Sequence, residues 1–196
     1  VTMVDLRYTH GPYPLIWGLS PEPYCCLVGN SCHIFDLARF FGGDVAEVYA
    51  RLWYPGSGGS FAFAITLAFV NGAVGVINCN GTDDTGWIMR EYCAVSGLCS
   101  SVEVEDMIHL RYRRGERWEP GEEVRSWVQA QTMHPHAVAG STGADNYGYY
   151  GELRHFARCV LGKESPRSTL LDGAKSLQMA EAIWQSSQSQ KPVSLI

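Results

Sequence analysis

The stretch Leu27–Gly43, LVGNSCHIFDLARFFGG, predicts an amphipathic helix. Apolar residues recur at the spacing i, i+3, i+4 and i+7, which places them on one helix face: Ile34, Leu37, Ala38 and Phe41. Asn30 or Ser31 can cap the start, and the pair Gly42-Gly43 can end the helix in the left-handed conformation that glycine adopts without penalty. We expect the apolar face to pack on a core.

A neighbouring face of the same helix carries His33 and Asp36, because each residue advances the helix by about 100°. Imidazole and carboxylate then lie one turn apart, and the start of a helix favours a neutral imidazole that can accept a proton. This arrangement indicates acid/base chemistry. In the alternative interpretation, His33 is a hydrogen-bonded structural residue and Asp36 pairs with Arg39 along the helix.

Composition limits the class of protein. The 196 residues with 46% hydrophobic content predict one domain with a substantial core. The formal charge of -5 argues against a nucleic-acid partner. The basic cluster around Gly115 is expected to be a solvated hairpin edge: Arg111, Arg113, Arg114 and Arg117.

The seven cysteines predict reduced thiols rather than a disulfide framework or a metal centre. Their number is odd, and no pair has the C-x-x-C spacing of a zinc or redox site. No run approaches the roughly 20 apolar residues of a membrane span, and the first residues lack signal-peptide features. We expect a cytoplasmic protein with no metal and no membrane partner.

Around the helix, the hydrophobic period changes to two, which predicts strands. The predicted strands are residues 2–9, 45–54, 60–70, 73–80, 88–96, 100–105, 108–113 and 192–196. Asn71-Gly72 is suited to a type I′ hairpin turn, so the central strands are expected to form an antiparallel meander.

The strand Phe61–Val70 is apolar on both faces, with large side chains on one and small ones on the other. Helices can cover the large side chains. The small face allows close approach of a second sheet from another copy of the chain, or it belongs to an ordinary two-sided core. The pattern leaves both possibilities open.

The second half of the chain predicts a long loop and two helices. Residues 118–143 lack periodicity, and His134-Pro135-His136 within them is expected to be a surface loop rather than a metal site. One helix spans Tyr149–Leu161, and the next begins with the capping box Thr169-x-x-Asp172. We expect the second helix to bury Leu170, Ala174, Leu177, Ala180 and Trp184.

These elements predict an α+β fold, an open and mostly antiparallel sheet with helices packed on one face. Three segments in order then carry a resemblance: GNSCHIFDLARF at 29–40, YGELRHFARCVLGKESP at 150–166 and DGAKSL at 172–177, with the sheet between the first two. In this order the chain resembles the C-terminal domain of the Gfo/Idh/MocA family, of the glyceraldehyde-3-phosphate dehydrogenase-like type.

The resemblance implies a nicotinamide-dependent oxidoreductase acting on a sugar, cyclitol or related polyol. It implies that residues 1–196 form a substrate-binding and oligomerisation domain, with a homodimer or tetramer formed through the sheet. NAD or NADP would bind to an N-terminal Rossmann domain that is absent from this chain, whose sequence has no G-x-G-x-x-G turn. We expect no cofactor to be bound by this chain alone.

The resemblance also assigns candidate site residues. His33 matches the catalytic histidine of the family, which shares acid/base work with a lysine of the other domain, and Asp36 lies beside it. Trp17, Asn30 and Tyr150 are expected to contact substrate. Many members carry an aspartate four residues before the histidine, where this chain has Gly29. This departure favours the alternative of a non-catalytic sugar-binding or assembly module on the same scaffold.

Overall fold

The computed structural model describes residues 1–82, 90–106, 109–115, 123–128 and 149–196, with 123–128 described by their backbone. The strands in these ranges are β1 Met3–Thr9, β2 Val45–Trp53, β3 Ala62–Phe69, β4 Val74–Asn80, β5 Arg90–Gly97, β6 Ser100–Glu105, β7 His109–Arg114, β8 Glu123–Val128 and β9 Val193–Ser194. The helices are α1 Glu22–Gly29, α2 Cys32–Gly42, α3 Tyr149–Val160 and α4 Leu170–Ser189.

The described strands form one open sheet in the order β8-β7-β6-β5-β1-β4-β3-β2-β9. The predicted mostly antiparallel sheet is confirmed, and β9 pairs with β2 at one edge as expected. The prediction of a simple meander is wrong, because β1 lies between β4 and β5. It pairs parallel to β4 and antiparallel to β5, so the first strand of the chain joins two hairpin systems.

Strand β3 shows why helices cover one face of the sheet. Its large side chains Phe63, Ile65 and Leu67 are buried, whereas the small side chains between them are exposed. Helix α4 packs on β2, and helix α2 packs on β1 and on α4. The core therefore lies between this face and the helices.

The predicted helix is α2, which starts directly after Ser31 as expected, and a separate helix, α1, ends at Gly29 just before it. Neither the Asn30 nor the Ser31 side chain makes the expected cap. The Ser31 hydroxyl is buried and lies 3.6 Å from Cys26 Sγ and 3.8 Å from Cys79 Sγ. The buried hydroxyl holds the start of α2 against the core. The helix ends at Gly42 as predicted, and Gly43 has a positive φ of 90°, but its ψ of -167° differs from that of the predicted left-handed conformation.

The second half of the chain corrects two further expectations. Strand β8 lies inside residues 118–143, which were expected to lack regular structure, and His134-Pro135-His136 lies outside the described residues. The capping box at the start of α4 is confirmed. The predicted buried face of α4 is right in part: Ala180 is buried and Trp184 packs against the core, whereas Leu170 and Leu177 are exposed and Ser176 and Ile183 are buried instead.

Candidate functional site

His33 lies in the first turn of α2 and is exposed to solvent. Its backbone N–H donates to the Asn30 carbonyl at 3.4 Å, and this hydrogen bond fixes the backbone of His33 at the start of α2. The buried residues of α2, which include Ile34 and Phe35, hold the helix on the core and leave His33 at the rim. The ring is therefore free to meet a molecule from outside.

Glu91, at the start of β5, is the carboxylate that His33 influences. Burial raises the pKa of the Glu91 carboxyl, and the nearby His33 opposes this rise. Its backbone is fixed by Asp106, whose carboxylate accepts the Glu91 N–H at 3.1 Å and whose N–H donates to the Glu91 carbonyl at 2.7 Å. An exposed imidazole thus lies near a half-buried carboxylate held by a rigid strand.

Aromatic and polar side chains adjoin this pair. Tyr8 is paired with Glu91 on the neighbouring strand. The His10 ring stacks on the Tyr8 ring, with centroids 6.1 Å apart. Tyr13 meets the other edge of His10 at 5.6 Å. Burial raises the pKa of Tyr13 to about 12 and also raises the pKa of Tyr8, so both phenols remain hydrogen-bond donors at neutral pH.

The loop that carries Tyr13 is held by a close backbone approach. The Tyr13 N–H donates to the Gly59 carbonyl at 3.0 Å. A Cβ on Gly59 would lie 2.7 Å from the Tyr13 carbonyl oxygen, and the φ of 74° also requires glycine. Gly59 therefore lets two loops meet at the site.

Gly29 occupies the position where many family members carry an aspartate. A Cβ built there lies 3.1 Å from the Tyr13 hydroxyl and 3.2 Å from both Ile16 and the Trp17 ring. A side chain would have to displace these neighbours. The close contacts therefore explain why this position is glycine here, and they place Trp17 beside the end of α1, close to Asn30.

Asp36 contacts α4 rather than His33. Its carboxylate lies 3.6 Å from Arg39 Nη1 and accepts the Ser176 hydroxyl at 3.4 Å. Among the described hydrogen bonds and ion pairs, none joins Asp36 to His33. The Arg39 side chain, 9% exposed, also pairs with Asp44 and Asp172, so this cluster ties α2 to the start of α4.

The remaining predicted site residues differ in how close the structure brings them to His33. Trp17 is 75% exposed in a left-handed conformation, and Asn30 ends α1 three residues before His33. Tyr150 is exposed in the first turn of α3, and no described hydrogen bond or ring contact connects it to His33. The residues missed by sequence reasoning are Tyr8, His10, Tyr13 and Glu91. Long-range strand pairing brings Glu91 to Tyr8, which no local pattern indicates.

Other kinds of site find no support in the part of the chain that is described. No three His, Cys, Asp or Glu side chains there are grouped as metal ligands. None of the described helices is long and apolar enough to cross a bilayer. The positive charge of the basic hairpin is partly offset, since Arg111 and Arg113 both pair with Glu103.

Comparison with known proteins assigns the family. Residues 1–195 match the profile described as the oxidoreductase family, C-terminal alpha/beta domain, of Gfo/Idh/MocA type. The chain belongs to this family. No curated relative matches the sequence.

Solved structures share the fold of this oxidoreductase domain at low sequence identity. An oxidoreductase domain protein from Kribbella flavida has a TM-score of 0.75 at 20% identity, with 99% of this chain and 58% of that chain covered. A dehydrogenase from Chromobacterium violaceum has a TM-score of 0.74 at 17% identity, with 96% and 53% covered. Levoglucosan dehydrogenase in complex with NADH has a TM-score of 0.71 at 16% identity, with 99% and 58% covered. The chain therefore spans little more than half of each of these proteins.

Proposed function

We propose that this chain is the substrate-binding domain of a nicotinamide-dependent oxidoreductase that acts on a sugar, cyclitol or related polyol. The observation that carries the proposal is an exposed imidazole, His33, whose charge acts on the half-buried carboxyl of Glu91, in a domain of an oxidoreductase family. Levoglucosan dehydrogenase, which shares the fold, has structures with NADH and with levoglucosan or L-sorbose. These complexes favour a sugar-like substrate.

In this proposal His33 moves a proton at a substrate oxygen. A hydroxyl that is oxidised to a carbonyl must lose its proton, and an imidazole within hydrogen-bond reach can accept it. The exposed position of His33 at the start of α2 suits contact with a molecule bound from outside. Trp17, at the same rim, offers a flat apolar surface of the kind that stacks on sugar rings, and Asn30 and Tyr150 stay predictions for hydrogen bonds to hydroxyls.

Glu91 takes the supporting role in this site. The family's second carboxylate is missing at Gly29, where a side chain would crowd Tyr13, Ile16 and Trp17. A carboxylate near His33 stabilises the imidazolium that forms when the ring accepts a proton. We assign this positioning role to Glu91, while the observed contacts of Asp36 with Arg39 and Ser176 favour a structural role for Asp36.

A nicotinamide dinucleotide does not fit the residues described in this chain. Such cofactors bind where a Gly-rich turn joins a parallel strand to a helix N-terminus. The parallel pair here is β1 and β4, and the residues after β1, HGPYP at 10–14, provide no such turn. We therefore expect the cofactor, which exchanges hydride with the substrate carbon, to bind outside this chain.

The second candidate is a non-catalytic sugar-binding or assembly module on the same scaffold, which Gly29 in place of the usual aspartate favours. Turnover distinguishes the two. The whole protein that carries this chain is supplied with NAD or NADP and a panel of aldoses, cyclitols and anhydrosugars, and absorbance of the reduced cofactor is followed. We expect turnover on at least one polyol, whereas saturable sugar binding without turnover supports the module.

A second titration tests whether this chain binds the cofactor by itself. NADH is added to the purified 196-residue chain, and its fluorescence is followed. We expect no binding at micromolar concentration, because the phosphate-binding turn is missing from the sequence. Micromolar affinity would contradict the assignment of the cofactor to another domain.

The helices leave one face of the sheet uncovered, and we propose that a second copy of the chain covers it. Ala64, Thr66 and Ala68 are exposed on this face of β3, and small side chains allow close sheet packing. Stable homodimers commonly bury more than about 2,000 Å². In sedimentation, Thr66→Arg should give monomers, and a wild-type protein that is monomeric at high concentration would refute this interface.

A further inference from the structure

A second group of chemically active side chains lies at the end of α3, outside the candidate site. Cys159 Sγ is 3.5 Å from His155 Nε2, and His155 Nδ1 is 2.7 Å from Glu164 Oε2. A thiol, an imidazole and a carboxylate therefore follow one another in hydrogen-bond order. This is the order in which a base, oriented by a third group, activates a nucleophile.

The local sequence explains how these side chains meet. His155 and Cys159 are four residues apart, so they lie on one helix face. Gly162, with φ 68°, turns the chain back after the helix, and the Lys163 N–H donates to the Arg158 carbonyl at 2.9 Å. The turn brings Glu164 back alongside the helix, where Arg158 also binds its carboxylate.

The hydrogen bonds define which nitrogen of His155 carries the proton. The Arg167 backbone N–H can only donate, and it lies 3.3 Å from Nε2. Nε2 is therefore the acceptor, and the Nδ1 proton is donated to Glu164. His155 and Arg158 hold the pKa of the Glu164 carboxyl below its usual value, so Glu164 is an anion that supports a positive imidazole. The thiol of Cys159 faces the nitrogen that can take its proton.

We propose that Cys159 is a modification site for soft carbon electrophiles, with His155 as the proton acceptor and Glu164 as the residue that orients it. In the reaction with an alkyl halide, the sulfur–carbon bond forms, the carbon–halogen bond breaks and halide leaves. The thiol proton passes to His155 Nε2.

The other cysteines provide an internal comparison. Cys25, Cys26 and Cys79 are buried, and Cys99 is the exposed one. Cys159 is half-buried, so exposure alone predicts that Cys99 reacts first. The His155 pairing predicts the reverse order.

The experiment is timed alkylation of the full chain with iodoacetamide at pH 7, followed by tryptic digestion and mass spectrometry. Cys159 lies in the peptide CVLGK, 159–163, and fragment ions of the peptide 91–111 report Cys99. An ordinary thiol with a pKa of about 8.5 is about 3% ionised at pH 7, so full ionisation gains at most about thirtyfold. Because a more acidic thiol is a weaker nucleophile, we expect Cys159 to react about tenfold faster than Cys99.

Two variants test whether His155 causes the fast reaction of Cys159. His155→Asn removes the base and should slow Cys159 to the rate of Cys99 or below. Arg158→Gln removes a neighbouring contact to Glu164 but keeps the thiol and imidazole together, so its rate should stay within about threefold of the wild type. A wild-type Cys159 no faster than Cys99 overturns the proposal. A His155→Asn variant that reacts as fast as the wild type, or faster because the turn has loosened, also overturns it.

Discussion

Helices α2 and α3 have similar amphipathic patterns but different surroundings. In α2, Phe35 is fully buried and Ile34 and Ala38 are buried with it. In α3 no residue is buried, and Phe156 is 65% exposed. A helical stripe of apolar residues therefore shows that a face favours burial, but it does not show what covers that face. The buried face of α2 packs against the sheet and α4 of the same chain, and this packing holds His33 in place.

Truncating one phenylalanine in each helix tests this contrast most strongly. Phe35→Ala should lower the free energy of unfolding by about 3–5 kcal/mol, because it leaves a cavity in the core. Phe156→Ala should change it by no more than about 0.5 kcal/mol in this chain. Urea titration of both variants gives the two values. Equal losses would show that α3 is packed as firmly as α2.

Removing the Arg39 guanidinium between α2 and α4 should lower the free energy of unfolding by less than Phe35→Ala does. Arg39 pairs with three carboxylates, those of Asp36, Asp44 and Asp172. We expect Arg39→Met to cost about 1–2 kcal/mol of unfolding free energy, since the carboxylates left behind are solvated. Lys175→Met, which removes only the exposed contact to Asp44, is the matched control, with an expected loss below about 0.5 kcal/mol. A control loss as large as that of Arg39→Met would refute the central role of Arg39.

Glu91 should have the smallest effect on stability, and its sign depends on pH. Burial raises the pKa of its carboxyl above the ordinary value of 4.5, so the folded state holds the proton more tightly than the unfolded state. The contribution of Glu91 to stability is thus greatest below pH 4.5 and falls as the pH rises through the folded-state pKa.

Glu91→Gln removes this dependence. Chemical denaturation at pH 4 and pH 7 should show that the variant gains stability relative to the wild type at the higher pH. The same difference at both pH values would mean that Glu91 does not titrate in a buried setting.

Local patterns predict much of this fold. Alternation located the described strands other than β8, Asn71-Gly72 located the β3–β4 hairpin, and Thr169 and Asp172 located the start of α4. The buried face of α4 was predicted only in part: Ala180 was included, but the buried serines were not, because serine gives no hydrophobic signal. Ser186, which donates from its hydroxyl to the Lys191 carbonyl and accepts the Ala50 N–H at 2.9 Å, is buried through hydrogen bonds rather than hydrophobicity.

The candidate site likewise contains residues that the local sequence indicates and residues that only long-range contacts bring in. His33 could be identified because its chemistry and helix position are local features of the sequence. Glu91 could not, because its approach to His33 depends on β1 pairing with β5, a contact across more than eighty residues of chain. The burial of the Ser31 hydroxyl could not be predicted for a similar reason, since Cys79 on β4 supplies part of its environment.

Asp36 provides a comparison between structural and catalytic residues of α2 in turnover. Because its carboxylate contacts Arg39 and Ser176, Asp36→Asn should reduce turnover less than loss of the imidazole does. Steady-state kinetics of the whole protein with its polyol substrate measure this. A loss as large as that of His33→Ala would assign Asp36 to the proton chemistry.

The single-turnover rate of hydride transfer in the whole protein tests the central claim most directly. His33→Ala should lower this rate by roughly 10²–10⁴-fold, the usual contribution of a positioned general acid/base. The fold should survive, because the buried face of α2 is unchanged. His109→Ala, which removes an exposed histidine on β7, is the control and should leave the rate unchanged. A His33→Ala protein that folds and retains the wild-type rate would contradict the account and make the histidine structural.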